Sequence, residues 1–446
     1  MSTSKSARAI SLETLIKVLQ DKSYSNISLN NSLNHSDLSQ ADQNLATKIV
    51  YGTIQYRLFL EYQLKGLVRT KLTEKYLKPL LLMSIYQIVF LDKVPNRAVL
   101  DEANKLAKQF GKHHSSGYRV VNGILRSFIR RGVILPDAKD EIKYLSVKES
   151  MPEWLVNYFA NHWGMDRTKK LLESINQPAK NSVRISALCD RDQVFNQLKT
   201  EGYEPEWSNL SVNDIILGHG GVSQSDLFKR GKLTIQDEAA SLVVESFDFD
   251  SKEEHILDAC SAPGGKTVQM AERVVVGDVT ALDIHEKKLH LVKENAKRMN
   301  VANKVKIKAC DARKVQDVFK PGEFTKILVD APCSGLGLLR RKPEIRYTKT
   351  ERDLQNLQKI QLAILESVSP LLKEDGELVY STCSISVEED EAVVEKFLKL
   401  HPDFELKPFK LSKLESKTGM LKIMPDQDNN DGFFFFLFKM RGLIFD

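Results

Sequence analysis

The second half of this chain alternates between two periods, and that alternation constrains the fold more than any other feature. Short apolar runs ("HILDAC", "VTALDI", "KVKIKAC", "FTKILVD", "GELVYSTC") are separated by charged stretches such as "HEKKLHLVKENAKRMN" and by a long helical segment from Leu354 to Leu372. Strands alternating with helices build βαβ units and a mostly parallel sheet covered on both faces. Ligands of such sheets bind beyond the carboxyl ends of the strands. The expectation is an α/β domain whose chemistry is collected at those ends.

The first strand runs into "DACSAPGGKT", Asp258 to Thr267. Adjacent Gly264 and Gly265 let the backbone approach a ligand closely, and a helix starting near Lys266 offers free N–H groups. The second strand ends at Asp283, where a carboxylate can take both hydroxyls of a ribose and repel a 2′-phosphate. The third ends in "ACDAR", which puts Asp311 where an exocyclic amine such as that of adenine could donate to it. Together these features describe a site for a nucleoside-bearing cofactor.

The fourth strand ends in Asp330-Ala331-Pro332-Cys333 and the fifth in "YSTCSI", so Cys383 also stands at a strand end. Neighbouring strands lie less than about 5 Å apart. If these two are adjacent, both thiols project into one cleft beside the cofactor. A metal would need further ligands, and no His/Cys cluster has zinc spacing; disulfide exchange would normally use a close CxxC pair. Nucleophilic catalysis fits best, because the thiolate fraction of a cysteine is raised by its surroundings. Cys189 and Cys310 read as small core hydrophobes.

The rest of the chain has a different texture. Residues 1–140 read as helices only. In "PNRAVLDEANKLAKQFG", Val99, Ala103, Leu106 and Phe110 fall on one helical face, with Asn96 as N-cap and Gly111 as stop. In "GYRVVNGILRSFIRRG", Val121, Leu125 and Phe128 point inward, and Arg126, Arg130 and Arg131 outward, on a solvated or an RNA-facing surface. Periodicity fades between Pro136 and Pro152, which marks a boundary. Residues 150–235 read as a small α+β adaptor, with Trp154, Tyr158 and Trp163 as core, and 236–446 as the α/β domain.

A chain of 446 residues implies two or three domains. Its longest apolar runs, such as Leu80 to Met83 and Phe433 to Phe438, fall far short of a membrane span. "MSTSKSARAI" has no apolar core of a secretory leader. Five scattered cysteines, an odd number, suggest free thiols in a reducing cytoplasm. The net charge of +6 is compatible with a polyanionic partner.

Taken in order, "DACSAPGGKT", "LDIHEKK", "CDAR", "ILVDAPCSGLG", "RRKPEIRY" and "LVYSTCSI" resemble the bacterial RNA cytosine-5 methyltransferases that use S-adenosylmethionine. With its helical start the whole chain resembles the Sun or RsmB type, which acts on 16S ribosomal RNA at cytosine-967 and begins with a NusB-like, RNA-binding domain. The resemblance implies a Rossmann-like methyltransferase domain with Cys383 as the nucleophile that adds to C6 of cytosine. It implies that Asp330 holds N3 and the amino edge, and that Cys333 helps resolve the covalent adduct. Cys260, Ser261, Ala262, Pro263, Gly264, Gly265, Lys266, Asp283 and Asp311 would hold the cofactor, with Asp330 shared. Arg340, Arg341 and Arg346 become candidates for phosphate contacts, with no metal and no membrane involved.

The chain departs from the family pattern in two places. The usual "PEEN" is "VEED" at Val387 to Asp390, and the aspartate and tryptophan of "RRxPDIxW" are Glu344 and Tyr347. Two other readings stay open: the same chemistry on tRNA or another RNA, and a non-enzymatic RNA-binding assembly or antitermination factor. The intact pair Cys383 and Cys333 speaks against the second. An adenine-N6 methyltransferase is disfavoured because the fourth strand ends in DAPC, not in an Asn/Asp-Pro-Pro-aromatic segment.

Overall fold

The computed structural model describes residues 5–21, 25–69, 71–112, 115–249 and 253–441. The first four residues of "MSTSKSARAI" therefore lie outside the described residues. The chain divides into two compact units, Met1–Asn176 with Lys342–Thr348, and Gln177–Arg341 with Lys349–Asp446.

The first unit is helical. Its helix Leu77–Phe90 is apolar on nearly every side, and Leu80, Leu81, Leu82, Met83 and Ile85 are buried. Such a helix must be surrounded, and helices Ala7–Asp21, Gln40–Gln55, Asn96–Phe110 and Gly117–Arg131 pack against it. In Asn96–Phe110 the buried face is Val99, Ala103, Leu106 and Ala107, as the spacing predicts, with Phe110 half-buried. The cap differs by one residue. Pro95, with φ fixed near −62°, precedes the first turn and its carbonyl accepts from the Val99 N–H.

In helix Gly117–Arg131, Val121, Leu125 and Phe128 are buried, and Arg126 and Arg130 are exposed. Arg131 turns back instead, donating to the carbonyls of Lys65 at 2.9 Å and Gln63 at 2.5 Å. Helices Glu153–Trp163 and Met165–Ile175 group with this unit, beyond the boundary read from fading periodicity. Their apolar residues Leu155, Phe159, Leu171 and Leu172 are buried where the two helices pack together. Tyr158 is buried, and Trp154 and Trp163 are half-buried.

The second unit holds a small antiparallel sheet of β1 (Asn181–Ile185), β2 (Pro205–Trp207), β3 (Asp214–Leu217) and β4 (Leu233–Ile235), in the order β2-β3-β1-β4. Fully buried Arg184 of β1 pairs with Glu272 at 2.5 Å and so ties this sheet to helix Gly265–Arg273.

The larger sheet contains β5 (Glu253–Asp258), β6 (Val276–Asp283), β7 (Val305–Ala309), β8 (Phe324–Asp330) and β9 (Leu372–Thr382). After β10 (Phe404–Leu406), a two-stranded β11 (Phe409–Lys410) and β12 (Glu415–Ser416), and β13 (Met420–Ile423), the chain ends its sheet with β14 (Phe433–Met440). The order is β10-β14-β9-β8-β5-β6-β7, with β13 also on β14. Strands β5 to β9 pair in parallel, and β14 runs antiparallel to β9. This is a Rossmann-like sheet whose order reverses between β5 and β8, the crevice where such folds bind ligands.

Phe433 to Phe438 are all buried in β14, and Phe436 stacks on Tyr380 with ring centres 5.0 Å apart. Burying each ring stabilises the fold by about 1.5–3 kcal/mol. Among the described residues no helix is long and apolar enough to cross a membrane.

Candidate active site

The carboxyl end of β5 leads into a tight loop and then into helix Gly265–Arg273. Asp258 is buried at the loop's base, where Thr267 Oγ1 donates to it at 2.6 Å, and burial pushes its carboxyl up to about 7. Ser261 donates both its N–H (2.7 Å) and its hydroxyl (2.8 Å) to the carbonyl of Leu282, fastening the loop to β6. The Ala262–Pro263 peptide is cis, and the Pro263 carbonyl accepts from Asn295 at 2.9 Å.

Gly264 has φ +105°, and a Cβ there would lie 3.0 Å from Val292 Cα. Only glycine fits both the conformation and the space. The loop thus passes the ends of β5 and β6 packed closely against Val292.

Asp283 is half-buried at the end of β6 and accepts from the His285 N–H at 2.7 Å. Asp311 follows β7 and accepts from the backbone N–H of Arg313 at 3.0 Å and its guanidinium at 2.6 Å. That pairing holds its carboxyl below the usual range. Removed from water and faced by Asp258, Asp330, Asp283 and Asp311, the Cys260 thiol is pushed well up. It is a neutral wall of the site.

Strands β8 and β9 are adjacent and parallel, with Asp330 opposite Ser381. That pairing carries Cys333 and Cys383 to the same edge, and their Sγ atoms lie 3.0 Å apart. The hydrogen bond with Cys383 and burial push the Cys333 thiol well above its ordinary range, with the Glu389 carboxylate adding to the effect.

Asp330 is fixed from two sides, by Lys266 Nζ at 2.7 Å and Ser381 Oγ at 2.8 Å. Lys266 carries helix Gly265–Arg273 to the end of β8, so the loop after β5 and the thiol edge share one ion pair. Among the described residues no group of three His, Cys, Asp or Glu is arranged to hold a metal.

The three arginines offered as candidates for phosphate contacts are each engaged by partners within the protein. Arg340 is buried and donates to the carbonyl of Asn429 at 2.7 Å. Arg341 pairs with Asp431 and, at 3.1 Å, with Asp237. Arg346 belongs to the helical unit, is fully buried, and donates to the carbonyl of Ser150 at 3.2 Å and to Asn176 Oδ1 at 3.2 Å. A guanidinium buried among backbone carbonyls is a structural anchor, so the expected phosphate role for Arg346 is corrected to one inside the fold. Its neighbours follow suit: Glu344 accepts from Ser25 at 2.7 Å, and Tyr347 donates to the Gln55 carbonyl at 2.9 Å.

Sequence reasoning missed the polar frame around the thiols. Buried Glu389 accepts from Ser334 and Ser384, the residues that follow the two cysteines. The repeated Cys-Ser pair in "PCSG" and "TCSI" was the available signal.

Comparison with known proteins identifies the family. Residues 249–439 match the 16S rRNA methyltransferase RsmB/F family, residues 5–130 the NusB family, and residues 151–221 the ferredoxin-like domain of RsmF/B-like methyltransferases. The probable ribosomal RNA small subunit methyltransferase B of Bacillus subtilis is 38% identical over 98% of this chain and 99% of its own. That of Pectobacterium atrosepticum, ribosomal RNA small subunit methyltransferase B, is 30% identical over 90% of this chain and 92% of its own. Among solved structures, PH0851 superposes with a TM-score of 0.82 at 25% identity, covering 98% of this chain and all (100%) of that one. NSun6 from Pyrococcus horikoshii, solved with SFG, shares the fold at a TM-score of 0.59 and 21% identity, over 66% of this chain and 99% of its own. By its full-length similarity and its domain order, this chain belongs to the RsmB/F family of 16S rRNA methyltransferases.

Proposed function

We propose that this protein transfers a methyl group from S-adenosylmethionine to C5 of a cytosine in 16S rRNA, through a covalent bond between Cys383 and C6. The observation that carries the reading is the 3.0 Å approach of Cys333 and Cys383 at the adjacent ends of β8 and β9, beside Asp330. The family resemblance adds cytosine-967 as the target and the cytoplasm as the compartment.

The residues fit this cofactor. Gly264 lets the loop pack against Val292 at the start of helix Gly265–Arg273, and Asp283 and Asp311 stand at the next two strand ends. Segment Cys260–Lys266 would hold the amino-acid end, Asp283 the ribose and Asp311 the adenine amine. The bound cofactor supplies a methyl group on a sulfonium, whose positive charge makes the thioether a good leaving group.

The protein's own part is to make C5 nucleophilic. Addition of the Cys383 sulfur to C6 gives C5 enamine character that cytosine itself lacks. Asp330, held by Lys266 and Ser381, is aimed to bind the N3 and amino edge and so favour that addition. A base must leave its stack to reach such a cleft. After methylation the C5 proton must depart and the Cys383–C6 bond must break.

Cys333 is the thiol beside that bond. The largest influence raising its pKa is the hydrogen bond with Cys383. Its sulfur lies 3.0 Å from that of Cys383, and we assign the second thiol to the release half of the reaction on that proximity.

The test is methyl transfer from radiolabelled S-adenosylmethionine to unmodified 16S RNA by wild type and Cys383→Ala. Label in 5-methylcytosine with wild type and none with the variant supports the reading. Label in tRNA instead refutes the ribosomal substrate. Binding of RNA without label on any RNA refutes catalysis and favours an assembly factor.

A further inference from the structure

Behind the two thiols lies a carboxylate that the mechanism above does not use. Glu389 is completely buried and is met by uncharged donors from four residues. Its Oε1 accepts the Ser334 N–H at 2.7 Å and Gln361 Nε2 at 3.1 Å. Its Oε2 accepts the hydroxyls of Ser334 (2.5 Å), Ser384 (2.7 Å) and Ser386 (2.8 Å).

Ser334 follows Cys333 and Ser384 follows Cys383. One carboxylate therefore grips both loops one residue beyond each sulfur. The two serine hydroxyls also meet each other at 3.1 Å. Gln361 extends the brace, because its Nε2 also donates to the Pro332 carbonyl at 3.0 Å, on the other side of Cys333. Tyr380 of β9 anchors the brace itself, donating to the Glu389 carbonyl at 2.7 Å.

A buried carboxylate is costly unless its oxygens are satisfied. Here that satisfaction is obtained from the two loops whose relative position the chemistry needs. The hydrogen bonds between β8 and β9 end near Ala331 N–H and the Ser381 carbonyl, so the ladder alone does not fix the sulfurs beyond it.

We propose that Glu389 is a positioning residue for the two-thiol reaction, holding the Cys333 and Cys383 loops in register so that both sulfurs reach one base. This inference rests on the proposed function for its catalytic consequence, but the spacing of the thiols can be read without any reaction. The chemistry of the brace also predicts which replacement is tolerated. Glutamine keeps a carbonyl oxygen for the Ser334 N–H, and the serine hydroxyls can rotate to accept from its amide. Alanine removes the acceptor of five hydrogen bonds that link the two loops.

The experiment uses the full chain and two readouts. The first is the rate at which diamide closes a Cys333–Cys383 disulfide without RNA: both thiols are oxidised and lose their protons, and the azo bond is reduced to the hydrazine. Glu389→Ala is expected to slow closure about tenfold, while Glu389→Gln stays close to wild type. The second is steady-state methyl transfer, where Glu389→Ala is expected to lower kcat about 100-fold with the KM for S-adenosylmethionine little changed. Glu389→Gln is expected to restore most of that loss.

Folded Glu389→Ala with wild-type closure and kcat overturns the proposal, and so does a Gln variant as impaired as Ala. If Glu389→Ala fails to fold, Ser334→Ala/Ser384→Ala removes two arms of the brace and is expected to slow closure several-fold; an unchanged rate overturns the proposal. Wild-type protein that methylates no RNA refutes the proposed function instead, and the closure assay still decides the role of Glu389 in spacing the thiols.

Discussion

Lys266 Nζ lies 2.7 Å from Asp330 Oδ2, joining the helix after the first large-sheet strand to the end of the fourth. The lysine was expected to serve the cofactor; its position makes it the partner of the residue that would read the base. Lys266→Met should therefore lower kcat by about 10- to 100-fold, and Asp330→Asn by more, with a smaller effect on the KM for RNA. Steady-state kinetics of methyl transfer separates these effects.

Gly264 combines φ +105° with a 3.0 Å approach of its missing Cβ to Val292 Cα. Gly264→Ala must shift the loop that we propose holds the cofactor. The variant should lose at least about tenfold in S-adenosylmethionine affinity while the global stability changes by about 1–2 kcal/mol. Calorimetric titration and thermal melting report the two quantities separately.

Arg346 offers a discrimination between anchoring and RNA contact. A phosphate contact would show as a decrease of about one in the salt slope of RNA binding when the arginine is removed. Buried Arg346, donating to Ser150 and Asn176, should leave that slope unchanged. Arg346→Ala should instead destabilise the protein by about 3 kcal/mol or more, read by urea unfolding.

Asp390 occupies the position where the family pattern carries asparagine. Burial outweighs Lys422 at 3.0 Å and the Thr382 hydroxyl at 2.7 Å, and pushes its carboxyl up to about 8. At neutral pH the folded protein keeps this group mostly protonated, neutral like the amide it replaces. The unfolded chain releases that proton near pH 4, so the folded state binds one proton more between about pH 4 and pH 8. The stability contribution is full below pH 4 and is lost as pH rises through 8. Asp390→Asn should flatten the pH dependence of melting over this window by on the order of a few kcal/mol, and Lys422 keeps Glu391 at 2.9 Å as its partner.

The sheet and its strand ends were legible because period-2 apolar runs and charged helices leave a local signature. Asp283, Asp311, Asp330, Cys333 and Cys383 all stand at or just beyond strand ends for that reason. Arg346 was not legible, since nothing in "RRKPEIRY" distinguishes a basic loop from a segment buried against carbonyls far away in the sequence. Glu389 was hidden by the same limit. Its partners at Ser334 and Gln361 are 55 and 28 residues away and meet it only in the folded chain. The pair Lys266–Asp330, 64 residues apart, belongs to the same class.

The most direct test of the two-thiol account is to incubate Cys333→Ala with unmodified 16S RNA and S-adenosylmethionine and resolve the products under denaturing conditions. The account predicts a stable protein–RNA adduct, attached through Cys383 and absent from Cys383→Ala. Free RNA methylated at the wild-type rate by Cys333→Ala, with no adduct, would contradict it.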